Sequence, residues 1–232
     1  MAQPTFVNEY TRPVHLNAAT TALVIVDMQN ASGSRNHGLG KLLARQNRLE
    51  EAAYRFDRID QLIVPNIKRL LATFRSAGAK VIHVTLGPKQ ADFSDAPTHL
   101  RAWFEATNNH AGNPEHDIVP GLEPQTGEPV FNKVTIGAFG STAIDNYLRT
   151  HAITELVVTG VSTNNCVGMT AMEAADRQYG VALVSDATGT CSDEMQHWTL
   201  TSFERLWGRV MTATEVIDEL EASTSLERVA SG

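Results

Sequence analysis

Three side chains could perform acid–base and nucleophilic chemistry if the fold brings them together: the Cys166 thiol, the Asp27 carboxyl and the Lys133 amine. Each sits where an apolar, strand-like run gives way to polar sequence. TALVIVDM ends in an acid at Asp27, EPVFNKV ends near Lys133, and ELVVTGV leads through a short polar turn to Cys166. A carboxylate can accept a thiol proton, and an ammonium beside it holds the carboxylate in place and favours the thiolate. Cys166 also opens a helical pattern, Asn165–Tyr179, closed by Gly180. The positive end of a helix favours a thiolate over a thiol. The plainer reading is a small buried hydrophobe, since free cysteines are often buried. Asp27 read alone is a cap, and Lys133 read alone is a solvated strand end.

The elements that must position these groups follow a β-α-β order. Continuous apolar runs such as Thr21–Met28 fit strands buried on both faces of a parallel sheet. Ile59, Leu62, Ile63, Ile67, Leu70, Leu71 and Phe74 recur at helical spacing up to Gly78. KVIHVTL is the next strand. Residues 87–120 read as a long loop with a short helix around Leu100–Ala106, and loops of that length are usually functional. Ser141 or Thr142 caps a helix through His151. Further strands cover VALVSDA and GRVMT, and a helix covers Met195–Leu206. Thr212 and Glu215 have capping-box spacing before a helix at Val216–Glu221, and the tail from Ser223 is expected to fray. The alternation predicts a single α/β domain over residues 1–232. It is a three-layer, doubly wound, mainly parallel sheet whose ligand lies beyond the carboxyl ends of the strands.

Composition narrows the function classes. With 42% hydrophobic and 19% charged residues over 232 positions, the chain suits one ordinary globular domain. A net charge of −7 argues against general nucleic-acid or anionic-membrane binding. No apolar run approaches the roughly 20 residues that span a bilayer. The amino terminus lacks a secretory pattern, and the expected location is cytoplasmic. The two cysteines, Cys166 and Cys191, are expected to stay reduced, with Cys191 a semi-buried thiol.

TALVIVDMQN, FNKVTIGAFGST, TGVSTNNCV and SDATG together resemble the isochorismatase-like cysteine hydrolases, over roughly Thr21 to Leu220. The resemblance implies Asp27 as general base, Lys133 as its cationic partner and Cys166 as nucleophile. It also implies a non-proline cis peptide between Val161 and Ser162, with the Ser162 and Cys166 N–H groups facing a developing oxyanion. A cysteine at the nucleophile position, which the isochorismate-cleaving members lack, implies hydrolysis of a C–N bond. The substrate would be a small amide or ureido compound, as for the N-carbamoylsarcosine, ureidoacrylate, biuret and maleamate branches. The nicotinamidase branch carries a metal site with an Asp-x-His pattern, which occurs nowhere in this chain, so no metal and no cofactor are expected. Gln29, Phe139, Asn164 and Asn165 adjoin the triad in sequence and are candidates for substrate contact. Arg101, Trp103, Phe104 and His110 are candidates for a lid. The resemblance also implies a homo-oligomer, a dimer or a tetramer. The competing readings are a catalytically idle small-molecule binder, or a redox thiol protein with Cys191 resolving Cys166.

Overall fold

The computed structural model describes the backbone of residues 13–230 and the side chains through residue 225. Part of the amino-terminal lead-in and the last two residues of the tail lie outside that range. Six parallel strands form one sheet: β1 (Thr21–Val26), β2 (Lys80–Leu86), β3 (Val130–Lys133), β4 (Glu155–Val161), β5 (Gly180–Gly189) and β6 (Arg209–Met211), in the order β3-β2-β1-β4-β5-β6. The chain winds outward from β1 in one direction and from β4 in the other. The switch point therefore lies between β1 and β4, the place where such sheets bind ligands.

Alternation along β1 explains the layers. Leu23 and Ile25 pack with Ile67, Leu70 and Phe74 of α4 (Val64–Ser76) and with Val216 and Leu220 of α9 (Ala213–Ala230). Ala22, Val24 and Val26 face the other way. They meet α5 (Thr98–Thr107), α6 (Ile144–Thr150), α7 (Gly168–Asp176) and α8 (Asp193–Glu204) through residues such as Phe104, Leu148, Ala171 and Phe203. Covering both faces is why β1 reads as an unbroken apolar run. The expected three-layer α/β/α fold is the one observed.

The differences from the sequence reading have physical causes. The polar stretch before Arg58 splits into α1 (Asn30–Gly33), α2 (Gly38–Arg45), a 3₁₀ turn and α3 (Ala53–Arg58), and a π-helical segment over Ile59–Ile63 leads into α4. The last helix is far longer than its apolar stripe suggests and runs to Ala230, through most of the tail. Its start is a true capping box: the Glu215 N–H donates to Thr212 Oγ1 at 3.2 Å and the Thr212 N–H to Glu215 Oε2 at 2.7 Å.

Two local devices aim the strand ends. Asp27 adopts φ +51°, the left-handed region that Asp tolerates better than most residues, and this turns the chain sharply out of β1. Gly160, with φ +107°, lies against the Val26 carbonyl, where a Cβ would collide with backbone. Only glycine lets β4 approach β1 this closely beside the switch point.

The edge strand β3 is tied in by charge. Arg75 of α4 bridges Glu128 at 2.8 Å, and the buried His83 ring of β2 meets the same carboxylate at 3.3 Å. Burial pushes Glu128 up, but Arg75, the Gln125 N–H and His83 outweigh it and hold the carboxyl at about 2. A carboxyl depressed on folding stabilises the fold above its unfolded value of 4.5, and that contribution disappears as pH falls toward 2. Glu128→Gln is therefore expected to lower stability at neutral pH and to flatten the loss of stability between pH 4.5 and 2. Urea unfolding across that range reads both, and an unchanged acid slope would contradict the assignment.

Candidate active site

The structure brings Asp27, Lys133 and Cys166 together from three different strand ends. Asp27 follows β1, Lys133 ends β3 two strands away, and Cys166 follows β4. Lys133 reaches under β2 and β1, its side chain fully buried, and donates to Asp27 Oδ2 at 2.9 Å and to the Thr135 carbonyl at 3.2 Å. The Cys166 thiol stands against both the carboxylate and the ammonium. Asp27 Oδ1, also buried, accepts no well-directed hydrogen bond among the described residues. One carboxylate oxygen is thus held by lysine, and the other is buried without a well-directed partner among the described residues.

Burial dominates the electrostatics. It lifts the Asp27 carboxyl above the ordinary carboxylate range, against the pull of Lys133. It disfavours the Lys133 ammonium too, but the Asp27 charge and the thiol outweigh it and keep the lysine charged. Burial also pushes the Cys166 thiol up, with Asp27 adding to the effect. Burial here outweighs the pull toward a thiolate that a helix start would exert. Cys166 is only 7% exposed and sits inside a π-helical turn, Thr163–Val167, ahead of α7, rather than at an open helix end. Burial therefore favours the thiol over the thiolate.

The peptide between Val161 and Ser162 is cis, as the resemblance implied. A cavity of about 280 Å³ opens above the triad. Its walls include Asp27, Gln29, Trp103, Ser162, Asn165 and Cys166. The size suits a small molecule, at the low end for ligand pockets.

The other sequence candidates divide. Asn165 lines the cavity, whereas Asn164 is exposed outside it and accepts a hydrogen bond from Thr190 Oγ1 at 2.6 Å. Phe139 is buried away from the cavity, against Tyr179 and beneath the Arg177 guanidinium. Gln29 lines the wall, but its Oε1 accepts from the Leu86 N–H at 2.8 Å and its Nε2 donates to the His116 carbonyl at 2.8 Å. It ties β2 to the loop before β3. Among the lid candidates, Trp103 and its neighbour Leu100 reach the cavity from α5. Phe104 is fully buried in the core, Arg101 donates to the Phe93 carbonyl at 2.8 Å, and His110 packs edge-on to Phe93.

Two further wall residues carry chemistry: Cys191, which the sequence reads as a semi-buried thiol, and Arg55, which it does not single out. Cys191 is exposed rather than semi-buried, yet it faces the cavity. Arg55 of α3 is 8% exposed and lines the same wall. Its signal was present: Arg55 falls between Ala52 and Ile59 in an otherwise apolar helical stripe, and a charge there points inward. Among the described residues, no group of three or more His, Cys, Asp or Glu side chains could hold a metal ion, and no helix is long and apolar enough to cross a membrane.

Known proteins resemble this chain in sequence and fold. A family model described as the isochorismatase domain matches residues 21–215. The ureidoacrylate amidohydrolase of Pantoea ananatis is 29% identical over 219 residues, covering 88% of this chain and 83% of the relative. The crystal structure of a cysteine hydrolase from Pseudomonas syringae pv. phaseolicola superposes with a TM-score of 0.76 over 96% of this chain and all of the other, and at 23% identity it speaks to fold alone. N-carbamoylsarcosine amidase from Thermoplasma acidophilum superposes with a TM-score of 0.62 at 25% identity, over 84% of this chain and 96% of that one. With its sheet order, its switch-point site and a family match over most of its length, the chain belongs to the isochorismatase family.

Proposed function

We propose that this protein hydrolyses a C–N bond in a small amide or ureido compound, with Cys166 as nucleophile and Asp27 as general base. The observation that carries the reading is the buried Asp27 carboxylate, whose Oδ2 is held by Lys133 at 2.9 Å and which meets the Cys166 thiol in the same dry pocket. The activities named for the Pantoea ananatis and Thermoplasma acidophilum relatives support the choice of bond.

Substrate enters with its carbonyl carbon over the sulfur. Cys166 gives its proton to Asp27, and the thiolate adds to the carbonyl. The N–H groups of Ser162 and Cys166 receive the oxyanion. Asp27 returns the proton to the departing nitrogen, the C–N bond breaks, and ammonia leaves a thioester on Cys166. Asp27 then takes a proton from water, the hydroxide adds to the thioester, and the C–S bond breaks with the sulfur reprotonated. A ureido substrate gives a carbamoyl thioester, whose hydrolysis product loses carbon dioxide. Lys133 stays charged throughout and steadies Asp27 in both protonation states.

The test is an ammonia-release screen over small ureido and amide compounds, with intact-protein mass measured during turnover. The expected result is ammonia release with an acyl adduct on the peptide containing Cys166. Ammonia release with the adduct on Cys191, or no release from any compound, would overturn the reading.

A further inference from the structure

The cavity holds a charge that the triad does not use. Arg55 is buried to 92% on the cavity wall, and among the described residues no carboxylate lies within ion-pair distance of it, although it feels the Asp27 charge across the cavity. Asp27 is ion-paired with Lys133, whereas Arg55 has no carboxylate paired with it among the described residues. A buried, uncompensated charge is costly, and buried cations are ordinarily paired. Burial in fact pulls the Arg55 guanidinium below its usual range.

The guanidinium is nevertheless held in a fixed direction. Its Nε and Nη2 donate to the Ser32 carbonyl at 3.2 and 3.0 Å, and its Nη1 donates to Ser162 Oγ at 2.8 Å. These three contacts leave two of its five N–H groups without an oxygen acceptor. The Cys191 thiol, a weak acceptor, stands beside them. A rigid fork with two donors that meet no oxygen among the described residues, only the weakly accepting Cys191 thiol, and with no ion-paired carboxylate there, beside a cavity, matches a planar, bidentate anion.

We propose that Arg55 is the specificity anchor of the site, and that the substrate carries a carboxylate which pairs with it. The substrate class narrows to small ureido or amide acids, with the scissile carbonyl over Cys166 and the carboxylate toward Arg55 and Cys191. The substrate itself then supplies the missing counter-charge. Neutral amides of the same length lose that pairing and leave the guanidinium buried and unmatched. This inference rests on the hydrolase reading for the words "ureido or amide"; the anion site stands on its own geometry.

Binding without turnover separates the two. In Cys166→Ala protein, calorimetry with 3-ureidopropionate and its neutral counterpart 3-ureidopropionamide reads the anchor directly. The acid is expected to bind roughly 10- to 100-fold more tightly, the range of a charge-assisted pair in a dry site. Arg55→Gln in the same background removes the preference, and Arg55→Lys, which keeps the charge but not the fork, retains part of it. Equal affinities for acid and amide in the Cys166→Ala parent overturn the proposal, as does failure of both to bind at millimolar concentration. So does an Arg55→Gln variant that weakens both ligands alike, because Arg55 would then act only through Ser162 and Ser32. If Arg55→Gln does not fold, the parent comparison and Arg55→Lys still decide. A protein that selects the carboxylate but releases ammonia from nothing in the screen would sink the hydrolase reading and leave the anchor standing.

Discussion

Cys166→Ser is expected to lower kcat for ammonia release by about four orders of magnitude or more while leaving the melting temperature within a few degrees. The two halves of that result have separate causes. Cys166 is nearly buried and packs among apolar neighbours such as Val167 and Ala171, and exchange of sulfur for oxygen leaves the volume almost unchanged. The chemistry changes far more. Asp27, lifted by burial, can take a proton from a thiol, but a serine hydroxyl is a much weaker acid in the same pocket, and burial penalises its anion in the same way. Because burial favours the thiol over a standing thiolate, the whole nucleophile depends on that transfer. Steady-state ammonia assays and differential scanning fluorimetry read both quantities. More than about one per cent residual turnover in the serine variant would remove Cys166 from its role.

The second large effect concerns stability. Lys133→Met removes the partner of a fully buried carboxylate, and breaking a buried pair from one side typically costs about 3–5 kcal/mol. For a chain of this size that corresponds to a fall in melting temperature of roughly 10 °C. Asp27 then has nothing opposing its desolvation, so its pKa rises further. Any residual activity should show an acid limb of kcat/KM displaced to higher pH, because the base is lost at a pH where the parent still holds it ionised. The double variant Asp27→Asn, Lys133→Met tests the cause. If the cost comes from an orphaned charge, the double variant is more stable than Lys133→Met alone, and the two substitutions are strongly non-additive. Additive losses would mean that Lys133 contributes through packing instead.

The division of labour around Asp27 explains why neither partner suffices alone. A carboxylate with both oxygens engaged by cations would be a weak base, and one with neither engaged would be neutralised by burial. Lys133 takes Oδ2 and leaves Oδ1. The left-handed turn at Asp27 and the close approach allowed by Gly160 set the carboxylate beside the strand end that carries Cys166.

Much of this was legible in the chain itself, for a definable reason. Strands buried on both faces must be apolar throughout, so β1 and β4 announce themselves, and a polar residue ending such a strand is conspicuous. Asp27 stood out for that reason, as did the doubly wound order, whereas Lys133, at the end of the half-exposed β3, and Cys166, in the turn after β4, drew their roles from the resemblance. Local pattern also found the capping box at Thr212. The resemblance in TGVSTNNCV carried the cis peptide, which no periodicity encodes.

What the sequence could not decide are the properties set by packing between distant segments. Asn164 and Asn165 are neighbours in the chain, yet one faces the cavity and the other Thr190, because successive residues in a helical turn point about 100° apart and only the docking of that turn says which is inside. Phe139 adjoins the triad in sequence but is claimed by Tyr179 and Arg177. The helix start at Cys166 is visible in the sequence, but its burial, which favours the thiol, is not. Arg55 lies more than a hundred positions from Ser162, and its charge acquires meaning only when α3 closes over the end of β4 and leaves it without an ion-paired carboxylate among the described residues. Sequence by itself determined which groups could react and the sheet that carries them. Tertiary structure alone decided which are dry, which are paired and which charge is left over, because desolvation depends on everything that surrounds a group and not on its neighbours along the chain.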